Sequence, residues 1–106
     1  MPLRRRRRSF DVVVGTAKIS LYIQDNRSLK EKRKIVKSII AKVHQKFNVS
    51  IAEVGFNDKW QRIGLGLSVV GNDRRFVNSA IDTILGYVDS LYLAEIIDSD
   101  IEILNL

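Results

Sequence analysis

Between Val12 and Ile23 apolar and polar side chains alternate, with Ile19, Leu21 and Ile23 interleaved with Lys18, Ser20 and Tyr22 behind a β-branched run at the start. A period of two with β-branched residues predicts a half-buried strand. The period then changes. Leu29, Val36, Ile39, Ile40, Val43 and Phe47 recur at steps of three and four, which predicts an amphipathic helix ending near Phe47 and Asn48. Asp25, Asn26 and Arg27 supply the turn ahead of it. Ser28-Leu29-Lys30-Glu31 has the spacing of a capping box, in which each polar side chain satisfies a free amide at the helix start.

The second half repeats this logic. Val49 to Phe56 reads as a strand, Asn57-Asp58-Lys59 as a turn, and Trp60 to Val70 as a returning strand with Ile63, Leu65, Leu67 and Val69 on one face. Gly71-Asn72-Asp73 offers an N-cap to a second helix, whose stripe is Val77, Ala80, Ile81, Ile84, Val88 and Leu91. A last strand falls within Ala94 to Leu104. There the adjacent Ile96 and Ile97 break the alternation and predict a bulge or a break.

The order βαββαβ predicts an α/β (α+β) ferredoxin-like fold, with two helices on one face of a four-stranded antiparallel sheet. Right-handed crossovers put the first and third strands in the centre and the second and fourth at the edges. The other face of the sheet is left open. Alternation assigns to it Lys18, Ser20 and Tyr22, together with Trp60, Arg62, Gly64, Gly66 and Ser68.

Composition narrows the class. A chain of 106 residues fits one domain, taken as residues 10–106, and at this size buries roughly two thirds of its unfolded surface without metals or disulfides. The absence of cysteine removes thiolate ligation and disulfides, and no stretch approaches the ~20 apolar residues of a membrane span. A cytoplasmic protein with no membrane partner is expected. The formal charge is +6, yet setting aside Arg4, Arg5, Arg6, Arg7 and Arg8 leaves 13 basic against 12 acidic residues, a net of +1. The excess therefore belongs to residues 1–9, expected to be a disordered basic tail that is either an arm for polyanions or a solvated extension.

Three blocks carry a family resemblance: Arg27-Ser28-Leu29-Lys30-Glu31-Lys32-Arg33, then Phe47-Asn48-Val49-Ser50-Ile51-Ala52-Glu53-Val54, then Asp58-Lys59-Trp60-Gln61-Arg62. In sequence and spacing they resemble the YlxP-like family of small bacterial proteins, over nearly the whole chain from Val14 onward and with Arg4 to Arg8 outside the pattern. The resemblance implies a ferredoxin-like fold and no catalytic residue. Members of that family often lie beside genes for translation initiation and ribosome maturation, an association of genes and not a mechanism.

Two groups of residues are candidates for binding. On a helical wheel Lys30, Arg33, Lys34, Lys37 and His44 fall along one exposed strip of the first helix, which suits either a phosphate backbone or a plain solvated face. Trp60 and Arg62, two apart at the start of the third strand, put an aromatic platform beside a guanidinium, with Tyr22 across from them. The same residues also suit a dimer interface or a cover for the hairpin end. Lys32 falls on the apolar side, where its stem is expected to lie along the core with the ammonium at the helix edge; Glu53 is the alternative partner.

Other chemistry finds little footing. RNA-recognition sheets carry aromatics in their third strand, whereas this strand reads Arg62-Ile63-Gly64-Leu65-Gly66-Leu67-Ser68-Val69. Gly64 and Gly66 instead suggest a bare strip suited to a second subunit. Gly64-x-Gly66 lacks the rest of a dinucleotide fingerprint, and His44 is the sole histidine, so no catalytic residue, cofactor or metal site is expected. Asp98, Asp100 and Glu102 alternate onto one strand face, as either a hard-cation site or protection of an exposed edge. Glu53 and Asp58 form only a weak acid-base pair, and together with Arg62 they supply a third reading, a small-molecule enzyme. The expected function is a non-catalytic module associated with RNA or a ribosomal particle, the alternative being a homodimer paired through its open sheet.

Overall fold

The computed structural model describes residues 10–106, so the arginine run Arg4 to Arg8 lies outside the described residues. The elements follow the order β1 (Val13–Tyr22), α1 (Leu29–Lys46), β2 (Ser50–Gly55), β3 (Arg62–Gly71), α2 (Arg74–Ser90) and β4 (Glu95–Asn105). One antiparallel sheet results, with strand order β2-β3-β1-β4. This is the ferredoxin-like arrangement expected from the periodicities, with β1 and β3 central.

Local chemistry sets the helix ends. Ser28 Oγ accepts from the Glu31 amide at 3.1 Å, as the capping-box spacing requires, and Asp73 Oδ1 accepts from Arg75 N at the start of α2. Both helices lay their apolar stripes on the same face of the sheet. Val36, Ile39 and Val43 of α1 and Val77, Ile81, Ile84 and Val88 of α2 cover Ala17, Ile19, Leu21, Ile63, Leu65 and Leu67. Each such buried aliphatic chain contributes about 1.5–3 kcal/mol, so this layer holds the domain together. A β-carbon at Gly15 would run into Val77 and Ile81, and the bare backbone there is what lets α2 approach β1.

The edges carry the irregularities. The β1–β4 register shifts between Ser20 and Leu21, whose partners are Asp98 and Ile96, so Ile97 is the bulged residue anticipated from the doubled isoleucine. A second shift falls between Glu53 and Gly55 of β2 and leaves Val54 unpaired. This one has no signature in the alternation. It brings Gly55 so close to Gly64 that a β-carbon on Gly64 would lie 2.9 Å from the Gly55 Cα, while one on Gly66 would lie 3.3 Å from the Val54 methyls. The close approach of β2 thus accounts for Gly64, while Gly66 lines a shallow depression of the open face.

Candidate cationic face and hairpin end

The two layers of the domain carry opposite charge. Lys30, Arg33, Lys34, Lys37, Lys42, His44 and Lys46 of α1 are exposed against a single exposed acid of that helix, Glu31. The expected strip is present, and it points away from the sheet because the buried residues Lys32, Val36, Ile39 and Val43 occupy the opposite side. Helix stability does not explain it. Lys30 lies in the first turn, where the macrodipole disfavours a cation, and the pairs Lys30/Arg33, Lys30/Lys34, Arg33/Lys37 and Lys34/Lys37 sit at repelling three- and four-residue spacings. Together these like-charge pairs destabilise the helix by on the order of 1 kcal/mol.

The open face of the sheet differs. Cross-strand pairing puts Lys18 and Arg62 there with Glu95, Asp98, Asp100 and Glu102, two bases against four acids for a net of −2. Between the strands runs a shallow depression of about 340 Å³, floored by small side chains such as Thr16, Ser50, Ala52 and Ser68. The carboxylates of β4 stand in a row at two-residue spacing. Among the described residues no group of three or more histidine, aspartate or glutamate side chains is gathered closely enough to hold a metal ion, so the cation-site reading of Asp98, Asp100 and Glu102 is not supported.

Where β1 ends and β3 begins, the two loops are tied together. Asn26 is only 7% exposed, and its Nδ2 donates to the carbonyls of Ser28 at 3.0 Å and Trp60 at 2.5 Å. That amide therefore joins the N-cap of α1 to the β2–β3 hairpin. Sequence reading took Asn26 as turn chemistry alone. The second tie is Lys32. It is 1% exposed, lies 3.0 Å from Glu53 Oε2, and donates from Nζ to the Phe56 carbonyl. Snorkelling toward the helix edge is thus replaced by a buried ion pair, because β2 supplies a carboxylate and the hairpin a carbonyl directly over the first turns of α1.

Phe56 is the residue that sequence reasoning missed. Its φ is 56°, in the left-handed region that costs a non-glycine residue about 1–2 kcal/mol. Its carbonyl accepts from both Lys32 Nζ and Lys59 N, and these two bonds hold the turn in that conformation. The ring is exposed and lies 4.5 Å from the Arg62 guanidinium, whose Nε has no hydrogen-bond acceptor. Phe56 is therefore an aromatic neighbour of Arg62 that the alternation did not give it. Trp60 precedes β3, in the bend of the hairpin, so strand periodicity does not govern it, and the residue is 54% exposed.

Tyr22 is across from Arg62 in the β1–β3 register, as expected, and its hydroxyl accepts from Gln61 Nε2 at 3.4 Å. It also lines a cavity of about 370 Å³ with Tyr92, Asp89 and Glu95. The structure thus brings Lys30, the N-cap of α1 and the hairpin residues Phe56, Trp60 and Arg62 to one end of the molecule. Lys37 and His44 extend the cationic strip along α1 away from it.

The chain is 40% identical to the uncharacterized protein YlxP of Bacillus subtilis (strain 168) over 78 residues, which cover 74% of this chain and 85% of that protein. Two solved structures overlay on it, each with a TM-score of 0.47. The de novo designed protein Foldit4 is 16% identical, covering 90% of this chain and 96% of the design. LarC2, the C-terminal domain of a cyclometallase involved in the synthesis of the NPN cofactor of lactate racemase, is 15% identical, covering 91% of this chain and 57% of that one. Residues 14–101 match the family described as Protein of unknown function (DUF503), a description that assigns no activity, and with the YlxP identity they make this chain a member of that family.

Proposed function

We propose that the protein is a non-catalytic binding module, an accessory factor that associates with RNA or with a ribosomal particle through α1 and the hairpin beside it. The observation that carries this reading is the Asn26 tether. One buried amide bonds to the carbonyls of both Ser28 and Trp60, and so ties the backbone that carries an exposed tryptophan to the start of a helix lined with cations. Cations for phosphate and an aromatic face for a base are the two components of single-strand recognition. The mutual repulsion along Lys30, Arg33, Lys34 and Lys37 is relieved when a polyanion lies against them. The net-negative open face argues against the sheet platform that RNA-recognition domains use.

The test is a fluorescence-anisotropy titration of the full chain with a labelled single-stranded RNA oligonucleotide at several salt concentrations. Replacing Lys30, Arg33, Lys34 and Lys37 by glutamine is expected to flatten the plot of log affinity against log salt by up to about 3, or ~0.7 for each lost phosphate contact. An unchanged slope, or a response that vanishes with Arg4 to Arg8 alone, refutes recognition by the folded domain.

One observation favours a second reading, a homodimer. Val14, Val70 and Leu104 are neighbours across β1, β3 and β4 on the open face, and Val70 and Leu104 are exposed. Such an apolar patch suits an isologous contact. Sedimentation equilibrium of the wild type against Val70→Lys decides it: a dimer that the lysine dissociates supports the reading, and a wild-type monomer at all concentrations removes it.

A further inference from the structure

The cavity of about 370 Å³ beside Tyr22 opens where the C-terminal end of α2 meets the end of β1 and the start of β4. Tyr22 is its boundary with the hairpin end, since Arg62 lies opposite that tyrosine on β3 and Glu95 opposite it on β4. The volume falls within the range of about 300–1,000 Å³ usual for small-molecule sites. Ile23 and Leu93 give the lining an apolar wall, Tyr22 and Tyr92 give it two aromatic rings, and Asp89 and Glu95 give it two carboxylates. No basic residue lines it.

Folding does not account for this set. Asp89 stands in the last turn of α2, where the macrodipole disfavours an anion, and that turn holds no basic residue. Among the described residues neither carboxylate forms an ion pair, since the salt bridge found there joins Lys32 and Glu53. Tyr92 follows the helix cap with φ 54°, a place usually given to glycine or asparagine, yet it is 91% exposed and packs no core in return. Negative charge thus reaches one cavity from two side chains and from the carbonyl end of a helix. A metal ion is a poor match, because two carboxylates fall short of the oxygen ligands a hard cation gathers and the rings and apolar wall would go unused. An organic cation uses the whole lining. Its ammonium groups meet the carboxylates and the tyrosine faces, while its methylenes lie along Ile23 and Leu93. Two carboxylates match two positive charges. We infer that the cavity binds an α,ω-diaminoalkane, a short methylene chain with a primary ammonium group at each end.

The inference does not rest on RNA binding, and its test contains no RNA. Amide NMR spectra of the full chain are followed during titration with 1,5-diaminopentane at constant ionic strength. Saturable shifts centred on residues 22–24 and 89–95 are expected. 1,5-Pentanediol, the same chain without charge, is expected to give none at equal concentration, and 1-aminopentane to bind roughly threefold more weakly or worse. Asp89→Asn/Glu95→Gln is expected to weaken diamine binding roughly tenfold or more, and Tyr92→Ala roughly threefold. All three positions are exposed, so wild-type spectra away from the cavity are expected in both variants. Absence of shifts at residues 22–24 and 89–95 up to about 10 mM diamine overturns the inference, as does wild-type affinity in Asp89→Asn/Glu95→Gln. Shifts that spread along Asp98, Asp100 and Glu102 without saturating, or that magnesium chloride reproduces, reduce the effect to general attraction of counter-ions and overturn it as well. Equal binding of 1-aminopentane overturns the pairing of two charges with two carboxylates.

Discussion

Replacing Lys32 by methionine isolates the least expected feature of the domain. Methionine keeps the length and much of the volume of the side chain, so the buried stem is retained and the ammonium alone is lost. Two groups are then stranded. Glu53, whose side chain is 20% exposed, keeps its charge with no partner, and the Phe56 carbonyl loses one of the two donors that hold its left-handed turn. Removing one member of a buried pair costs about 3–5 kcal/mol, and partial exposure of Glu53 puts the expected loss at the lower end, about 3 kcal/mol. With a urea m-value of about 1.5 kcal/mol/M the midpoint of unfolding falls by about 2 M. The double variant Lys32→Met/Glu53→Gln removes the stranded charge and is expected to regain more than half of that loss. Equilibrium urea unfolding followed by circular dichroism measures both. A Lys32→Met midpoint within experimental error of wild type, or a double variant no more stable than the single, refutes the claim that the pair anchors the hairpin to α1.

Four further substitutions have outcomes set by the same geometry. Gly64→Ala is expected to lose about 2 kcal/mol in chemical unfolding, since its new carbon meets the Gly55 backbone, whereas Gly86→Ala, with nothing within 4 Å and a helical position in α2, is expected to gain about 0.5–1 kcal/mol. A Gly64→Ala as stable as wild type contradicts the close approach at the β2 bulge. Trp60→Ala is expected to leave the unfolding midpoint nearly unchanged while weakening single-stranded RNA binding roughly tenfold, about the lower half of the 1–3 kcal/mol per stacked base; equal affinity of the two proteins contradicts a stacking role. Asn26→Ala is expected to lose about 1–2 kcal/mol in thermal or urea unfolding through its two backbone bonds, and an unaffected midpoint would sink the tether.

The fold was legible because its elements obey two short periods. Leu29 to Phe47 repeats as a helix, Ile63 to Val69 as a strand, and Ser28 and Asp73 mark the helix starts with side chains that have one obvious amide to meet. Ile96 and Ile97 disclosed the β4 bulge for the same reason, since a doubled apolar residue cannot satisfy alternation without an unpaired position. The hairpin end was not legible. Phe56 adopts a conformation its own side chain disfavours, and it is held there by a lysine 24 residues away. No local pattern encodes that. β3 was started too early, at Trp60, because alternation was extended past the first paired residues into a bend. Lys32 was misread because a helical wheel shows which side a residue faces and not what lies above it. The cationic strip, by contrast, needed only the wheel.

Charge in this domain is sorted across the thickness of the sheet, cations on the helical layer and carboxylates on the uncovered strands. The separation gives the molecule a permanent electric moment roughly perpendicular to the sheet. In the field of a phosphate polymer such a body rotates before it touches, so that encounters begin helix-first and fewer collisions are wasted on the wrong side.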